Sequence, residues 1–174
     1  VTYKLKNEEV WDWRVEGTGA LEEWHFYVQF DATTGKVVGA FKKIVAGGAV
    51  PGVLAYDGDV PVGWCAVEPK EAYPSLLRSN AKTVDDRPCW SVPCFFVAKS
   101  HRAKGVSAAL LDAAVKHARA NGATLIEGYP IDTDRKAMDF SAFVGAARIF
   151  RHAGFTEAAR SSPSRPVMRR KLGR

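Results

Sequence analysis

Apolar and polar positions along this chain change period several times, and each change predicts an element. Val53 to Tyr56 and Val62 to Val67 are short apolar runs joined through Asp57-Gly58-Asp59, a turn sequence that predicts a β-hairpin. Upstream, the aromatic-rich segment Trp24 to Phe30 reads as a strand, ended by the turn-prone Asp31-Ala-Thr-Thr-Gly35, and Val37 to Val45 fits a strand or a helix equally. Pro69 to Arg87 is polar and broken, a loop or lid with a short helix around Tyr73 to Arg78. Trp90 to Ala98 follows as a dense apolar run of strand length, the pattern of a mid-sheet strand buried on both faces. Pro93 is discordant in it: without an N–H it predicts a bulge or a break in pairing.

From Arg102 to Asn121 the period becomes helical, with Val106, Leu110, Ala113 and His117 on one stripe, widened by Ala109, Leu111, Ala114 and Val115. Asn121-Gly122 is a helix stop. Thr124 to Ile131 reads as the next strand, parallel to its predecessor across a right-handed crossover. Phe140 to Ala153 predicts a second helix, with Phe143, Ala147 and Phe150 on one face and Gly154 at its stop. Thr156 to Ser161 and Pro166 to Leu172 are strands around the turn Ser162-Pro163-Ser164. The sum is a mixed α/β sheet without internal repeats.

The chain has 174 residues, the size of one domain, and is 47% apolar and 25% charged, which excludes disorder for most of it. Its longest uncharged stretch, Ile44 to Tyr56, is shorter than the ~20 apolar residues of a membrane helix and holds three glycines and a proline. Lys4, Lys6, Glu8, Glu9 and Asp12 interrupt any leader-like run, so the expected location is cytoplasmic. Cys65, Cys89 and Cys94 lack C-x-x-C spacing and the four histidines show no zinc-ligand pattern; buried free thiols and no metal site are expected. Charge is uneven. Residues 1–96 carry −3, whereas residues 97–174, with 15 Lys and Arg against 6 Asp and Glu, carry +9. Such an asymmetry suits a nucleic-acid surface or a smaller polyanion.

The polyanion has a candidate seat. Between the apolar strand and the long helix lies Val97-Ala-Lys-Ser-His-Arg102-Ala-Lys-Gly105-Val-Ser107. A tight turn there aims successive backbone N–H groups, at the positive end of the helix dipole, into one small space that suits a phosphate. Gly105 permits close approach, and Arg102 and Lys104 add charge. The plain alternative is a strand-to-helix turn with solvated basic residues. Neither a G-x-x-x-x-G-K-[ST] nor a G-x-G-x-x-G motif occurs, which argues against P-loop and dinucleotide-binding domains.

These residues resemble a family. Arg102-Ala-Lys-Gly105-Val-Ser107, after a strand ending in Val97 and before a helix, looks like motif A, [RQ]-x-x-G-x-[GA], of the GNAT superfamily of acyl-CoA-dependent N-acyltransferases, with Ser107 in place of the last small residue. Ala147 to Phe155 is similar to the family's second helix, which usually has tyrosine four residues before a Gly-Phe pair; here Phe150 precedes Gly154-Phe155. The resemblance covers residues 51–174, with 1–50 less well matched. It implies one domain over 1–174 built on a central mixed, mostly antiparallel twisted sheet, with helices on both faces and a splay at the middle strand. It also implies an acetyl-CoA co-substrate, with pyrophosphate on the amides of Arg102, Ala103, Lys104, Gly105, Val106 and Ser107, and pantetheine beside Phe96, Val97 and Ala98. Lys or Arg side chains would meet the 3′-phosphate, and a strand N–H would polarise the thioester carbonyl while an amine attacks.

Phe150 cannot supply the proton that the family's tyrosine gives to the leaving thiolate, although CoA thiolate leaves tolerably without one. A base matters more, because the amine must lose a proton first. Glu127 and Tyr129, two residues apart and so on one face, are the catalytic candidates. The alternatives are an Arg-paired carboxylate for Glu127 and a packed aromatic for Tyr129. Ser91 and Cys94 adjoin the expected thioester position; Glu68 is a further candidate, with Pro69 suggesting that it is already leaving the sheet. Among the histidines, His117 reads as packed, His101 as solvated and His152 as a helix-end charge, and His25 has no assigned place. The acceptor pocket draws on residues 69–87, on Asp132 to Asp139 and on parts of 1–50, where Asp85, Asp86, Asp132 and Asp134 suit a cationic amine.

The expected function is therefore transfer of an acetyl group from acetyl-CoA to a small primary amine acceptor. The alternative, favoured by Phe150, is a non-catalytic acyl-CoA-binding or sensing module. Nucleic-acid binding through Arg165, Arg169, Arg170, Lys171 and Arg174 is disfavoured because no aromatic residues interleave that tail. A membrane partner is not expected. Trp11, Trp13 and Trp24 leave a homodimer interface or a pocket lining open.

Overall fold

A computed structural model describes residues 28–30, 37–40, 50–58, 60–73, 76, 84–132 and 144–173. They fall into two compact units. In one, β1 (Val28–Phe30) and β2 (Val37–Ala40) form an antiparallel pair. This resolves the ambiguous segment after Val37 as strand over its first four residues. The turn at 31–35, His25 and the three tryptophans at 11, 13 and 24 lie outside the described residues.

The other unit begins with the hairpin read from Asp57-Gly58-Asp59. β3 (Gly52–Asp57) and β4 (Val60–Ala66) pair antiparallel with Asp57 opposite Val60, and Gly58 turns at φ +61°. β5 (Glu68–Pro69) continues the β4 line and ends in a single 3₁₀ turn, Lys70–Ala72. Of the short helix expected over 73–78, only Tyr73 and Leu76 are described.

The run expected as a single mid-sheet strand is two. β6 (Trp90–Val92) pairs antiparallel with β5 and parallel with β8 (Leu125–Gly128), whereas β7 (Phe95–Val97) pairs with β4 alone. Pro93 and Cys94 separate them. Ala66 donates to the Cys94 carbonyl, and from there back to Glu68 opposite Ser91 the β6–β7 line holds one residue more than its partner. That is the bulge Pro93 predicts, and it sends β7 away from β8.

Two sheets result. One has the order β5-β6-β8-β10-β9, with β9 (Thr156–Ser162) and β10 (Arg165–Lys171) as the final hairpin; the other has the order β3-β4-β7. The β6–β8 contact is parallel and every other pairing is antiparallel, so the sheet is mixed, mostly antiparallel and splayed where expected.

α1 (Val106–Ala120) starts with its apolar stripe at Val106, four residues later than the helical segment read from Arg102, because Gly105 takes a left-handed conformation at its N-cap. Val106, Leu110, Leu111, Ala114, Val115 and Ala118 are buried against β3, β4 and β7, each large side chain contributing roughly 1.5–3 kcal/mol. His117 packs edge-on to Trp90, as its place on the stripe predicts. α2 (Ala147–His152) is shorter than the helix expected over 140–153. Gly145 at φ +78° and Ala146 in extended conformation, bridged to Ile131, stop it from beginning earlier. Phe143 lies outside the described residues. Phe150 is fully buried, edge-on to Phe95 and Phe155, and a side chain at Gly128 would collide with its ring. Among the described residues no helix is long and apolar enough to cross a membrane.

Candidate active site

Directly opposed residues in neighbouring strands share a sheet face. One face of the five-stranded sheet carries Trp90, Val92, Ile126, Gly128 and Met168, under Phe150 and α1. The other carries a row of polar residues: Glu68, Ser91, Glu127 and Arg169.

Glu127 lies at the centre of that row with no solvent exposure. Lys70 Nζ and the Tyr129 hydroxyl donate to its Oε1, at 2.9 and 2.5 Å, and Arg169 Nε donates to Oε2 at 2.5 Å. Burial pushes the Glu127 carboxyl up, but these three hydrogen bonds and the Lys70 charge outweigh it and hold the group below its ordinary range. Arg169 also reaches Asp85 at 2.8 Å, and Asp85, held low by Arg87 and Arg169, pairs with Arg87 at 2.7 Å. Tyr129 lies 3.2 Å from Ser91 Oγ, and burial and the Glu127 charge keep its hydroxyl protonated.

The two catalytic candidates therefore meet, as their two-residue spacing predicts. Glu127 has the Arg-paired form given above as its alternative, with both oxygens already engaged by donors. Lys70 and Arg169 are the Glu127 partners that sequence reasoning missed, and Asp85, expected to draw a cationic amine, is instead held by Arg87 and Arg169. Lys70 lies 57 and Arg169 lies 42 residues from Glu127, and Asp85 lies 84 residues from Arg169; the one available signal was that Arg169 shares the parity of buried Val167.

At the other edge of the splay, β7 meets β4 with Phe96 opposite Trp64 and with the backbone bonds from Ala66 to Cys94 and from Ala98 to Val62. In that antiparallel alternation the N–H and C=O groups of Phe95 and Val97 point away from β4, to the side where β8 has diverged. Arg102 Nε donates to the Val97 carbonyl at 3.1 Å.

The chain then makes one 3₁₀ turn at Lys99–His101, extends at Arg102, turns left-handed at Ala103 (φ +61°) and again at Gly105 (φ +83°), and enters α1. No side chain caps the helix, and a Cβ at Gly105 would have no atom within 4 Å. Arg102, Ala103, Lys104 and Gly105 are exposed, Ser107 is half-buried and Val106 is buried. The first N–H groups of α1 thus face open space beside two basic residues, a ready anion cradle in physical terms.

The remaining candidates are structural. Burial pushes the Cys65 and Cys94 thiols up, Cys94 to about 12, and all three cysteines are free. His101 pairs with Asp57 at 3.1 Å, and His152 Nδ1 lies 2.7 Å from the Arg148 carbonyl within its own helix. Asp132 is held low by Arg151 and Arg160. The basic tail does not form a free patch, since Arg169 is buried and Arg170 donates to the Ala153 carbonyl at the end of α2. Asp134 and Arg174 lie outside the described residues. Among the described residues no group of three or more His, Cys, Asp and Glu could hold a metal ion.

Residues 2–141 match the model of the acetyltransferase (GNAT) family. A GNAT-family protein from Desulfovibrio desulfuricans superimposes with a TM-score of 0.51 over 76% of each chain at 19% identity. YncA from Salmonella typhimurium, solved with its cofactor acetyl-CoA, gives 0.51 over 87% of this chain and 82% of its own at 14% identity. Naa20 from Chaetomium thermophilum, in complex with a bisubstrate analogue, gives 0.52 over 99% and 87% at 14%. At such identities the likeness is one of fold. No curated protein matches the sequence significantly. On the family match, which covers most of its length, this chain belongs to the GNAT family of acetyltransferases and is an acyltransferase.

Proposed function

We propose that the protein transfers an acetyl group from acetyl-CoA to a primary amine. The observation that carries this is the uncapped turn from Arg102 to Ser107 at the head of α1, adjoining the outward-facing edge of β7. The amides of Arg102, Ala103, Lys104, Gly105, Val106 and Ser107 would hold the pyrophosphate, with Arg102 and Lys104 balancing its charge. Pantetheine would run along Phe96, Val97 and Ala98, taking the main-chain groups that β7 turns away from β4. Acetyl-CoA supplies the activated acyl group; the protein holds it in line for the amine. The Phe95 N–H, aimed into the splay, would polarise the thioester carbonyl.

Glu127 and Tyr129 close the inner end of the splay. Glu127, fixed by Lys70 and Arg169, holds the Tyr129 phenol against Ser91, so that this end is rigid and charged before substrate arrives. Phe150, enclosed by Phe95, Phe155 and Gly128, adds no proton donor; the thiolate would leave without one or recover the proton lost by the amine. The family match spans both compact units, which supports one domain over residues 1–174.

Calorimetric titration with acetyl-CoA, followed by CoA-release assays with spermidine, lysine methyl ester and short peptides with free amino termini, tests the proposal. Binding with transfer to at least one of these amines is expected. Absence of both heat and a thermal shift with acetyl-CoA overturns it.

A further inference from the structure

Among the described residues, two polar groups near the point where the sheets part stand outside the ion-pair network, Glu68 on the Glu127 face and Tyr73 just beyond β5. Glu68 faces Ser91 from β5, in the last register before the Pro93 bulge. Among the described residues no cation and no hydrogen-bond donor engages its carboxylate, and half-burial pushes that group up from its ordinary range. Tyr73 follows the turn after β5, and its phenol oxygen is buried without a hydrogen-bond partner among the described residues. Burial and then the charge of Glu68 keep it protonated.

The other titratable groups around this corner are committed or neutral. Lys70 is paired with Glu127, Tyr129 donates to Glu127, and the Cys89 and Cys94 thiols are pushed up and so uncharged. A half-buried carboxylate without a counter-charge, beside a buried phenol oxygen that lacks a partner among the described residues, suits a cationic donor that arrives from outside. An ammonium brings three N–H donors and a positive charge, which satisfies both oxygens at once.

We propose that Glu68 is the catalytic base, with Tyr73 positioning the acceptor. The inference rests on the acetyl-transfer reading above. The acceptor binds as an ammonium, one N–H donating to the Glu68 carboxylate and a second to the Tyr73 oxygen. Glu68 takes one proton, and the freed nitrogen lone pair attacks the thioester carbon. As the C–N bond forms and the C–S bond breaks, sulfur leaves with the bonding pair and takes the second proton from nitrogen. The products are the amide and CoA thiol, and Glu68 returns its proton to water. A carboxylate without a fixed counter-charge suits this role better than Glu127, whose oxygens already accept three hydrogen bonds.

The test compares wild type, Glu68→Gln and Tyr73→Phe, using acetyl-CoA and whichever amine in the panel is turned over. Glu68→Gln is expected to keep its acetyl-CoA affinity and its Tm while kcat/KM at pH 7 falls on the order of 10²–10⁴-fold. The deficit should narrow as pH rises and the amine deprotonates in solution. Tyr73→Phe should raise KM for the amine more than it lowers kcat and should leave the pH profile in place. Should Glu68→Gln fail to fold, Glu68→Asp, which keeps the charge but withdraws it by one methylene, must still lose kcat with the pH profile kept. Wild-type turnover and pH dependence in Glu68→Gln, or in Glu68→Asp if that is the variant that folds, overturns the assignment and leaves acetyl transfer intact. A wild-type protein that binds acetyl-CoA but acetylates none of the amines instead overturns the transfer reading, and this inference with it.

Discussion

Arg169→Met removes the guanidinium that joins two carboxylates across the sheet. Arg169 is 5% exposed and Glu127 is fully enclosed, so the substitution strips one partner from a buried charge while leaving Lys70 at 2.9 Å. Breaking a buried ion pair in this way costs about 3–5 kcal/mol. The surviving Lys70 and Tyr129 contacts, and a methionine stem that reaches about as far as the arginine Nε, place the expected loss at the lower end, about 3 kcal/mol. For a chain of this length each kcal/mol moves Tm by roughly 2–4 °C, so a fall of about 6–12 °C is expected at pH 7. The pH dependence discriminates further. Glu127 is held below its unfolded pKa, so its contribution to stability is present above that unfolded value and is lost as pH falls through the folded one. In Arg169→Met the folded pKa rises, and the gap between variant and wild type should close in acid. Urea denaturation followed by circular dichroism at pH 7 and near pH 4 reads both effects, and Arg169→Met with Glu127→Gln should recover part of the loss. A deficit below about 1 kcal/mol at pH 7, or one of equal size at both pH values, refutes the view that this pair is a stability determinant.

Three further outcomes are expected. Gly105→Ala forces a side chain into φ +83°, at a cost of about 1–2 kcal/mol, and should weaken acetyl-CoA binding at least tenfold by calorimetry; unchanged affinity would remove the turn from the cofactor site. Gly128→Ala drives a methyl into the Phe150 ring and should destabilise by about 1–3 kcal/mol in thermal melts, with partial rescue by Phe150→Leu. With all three thiols free and pushed up by burial, Ellman's reagent at pH 8 should react slowly until denaturant is added; rapid labelling of the native protein would contradict their enclosure.

What the sequence made legible was local. Asp57-Gly58-Asp59 specified its hairpin, and the apolar stripe from Val106 specified α1, because turn chemistry and helical period act within a few residues. The outcome at Trp90 to Ala98 was half legible: Pro93 announced a break, but that the break divides two sheets depends on which strands lie alongside, and no local pattern carries that. The second helix was overdrawn because Gly145, inside an apolar run, reads as tolerable until its left-handed φ is seen. The polar row Glu68, Ser91, Glu127 and Arg169 was least accessible, since its members come from four strands and acquire meaning only through register.

A single surplus residue at Pro93 gives this molecule a sheet rim in its interior. A rim usually lies at the periphery, where charge or twist guards it against other chains. Here the edge of β7 that turns away from β4 looks to the side from which β8 has diverged, with the Val97 carbonyl already taken by Arg102, so a guest in extended conformation would have to join a ladder that the chain itself has begun to fill.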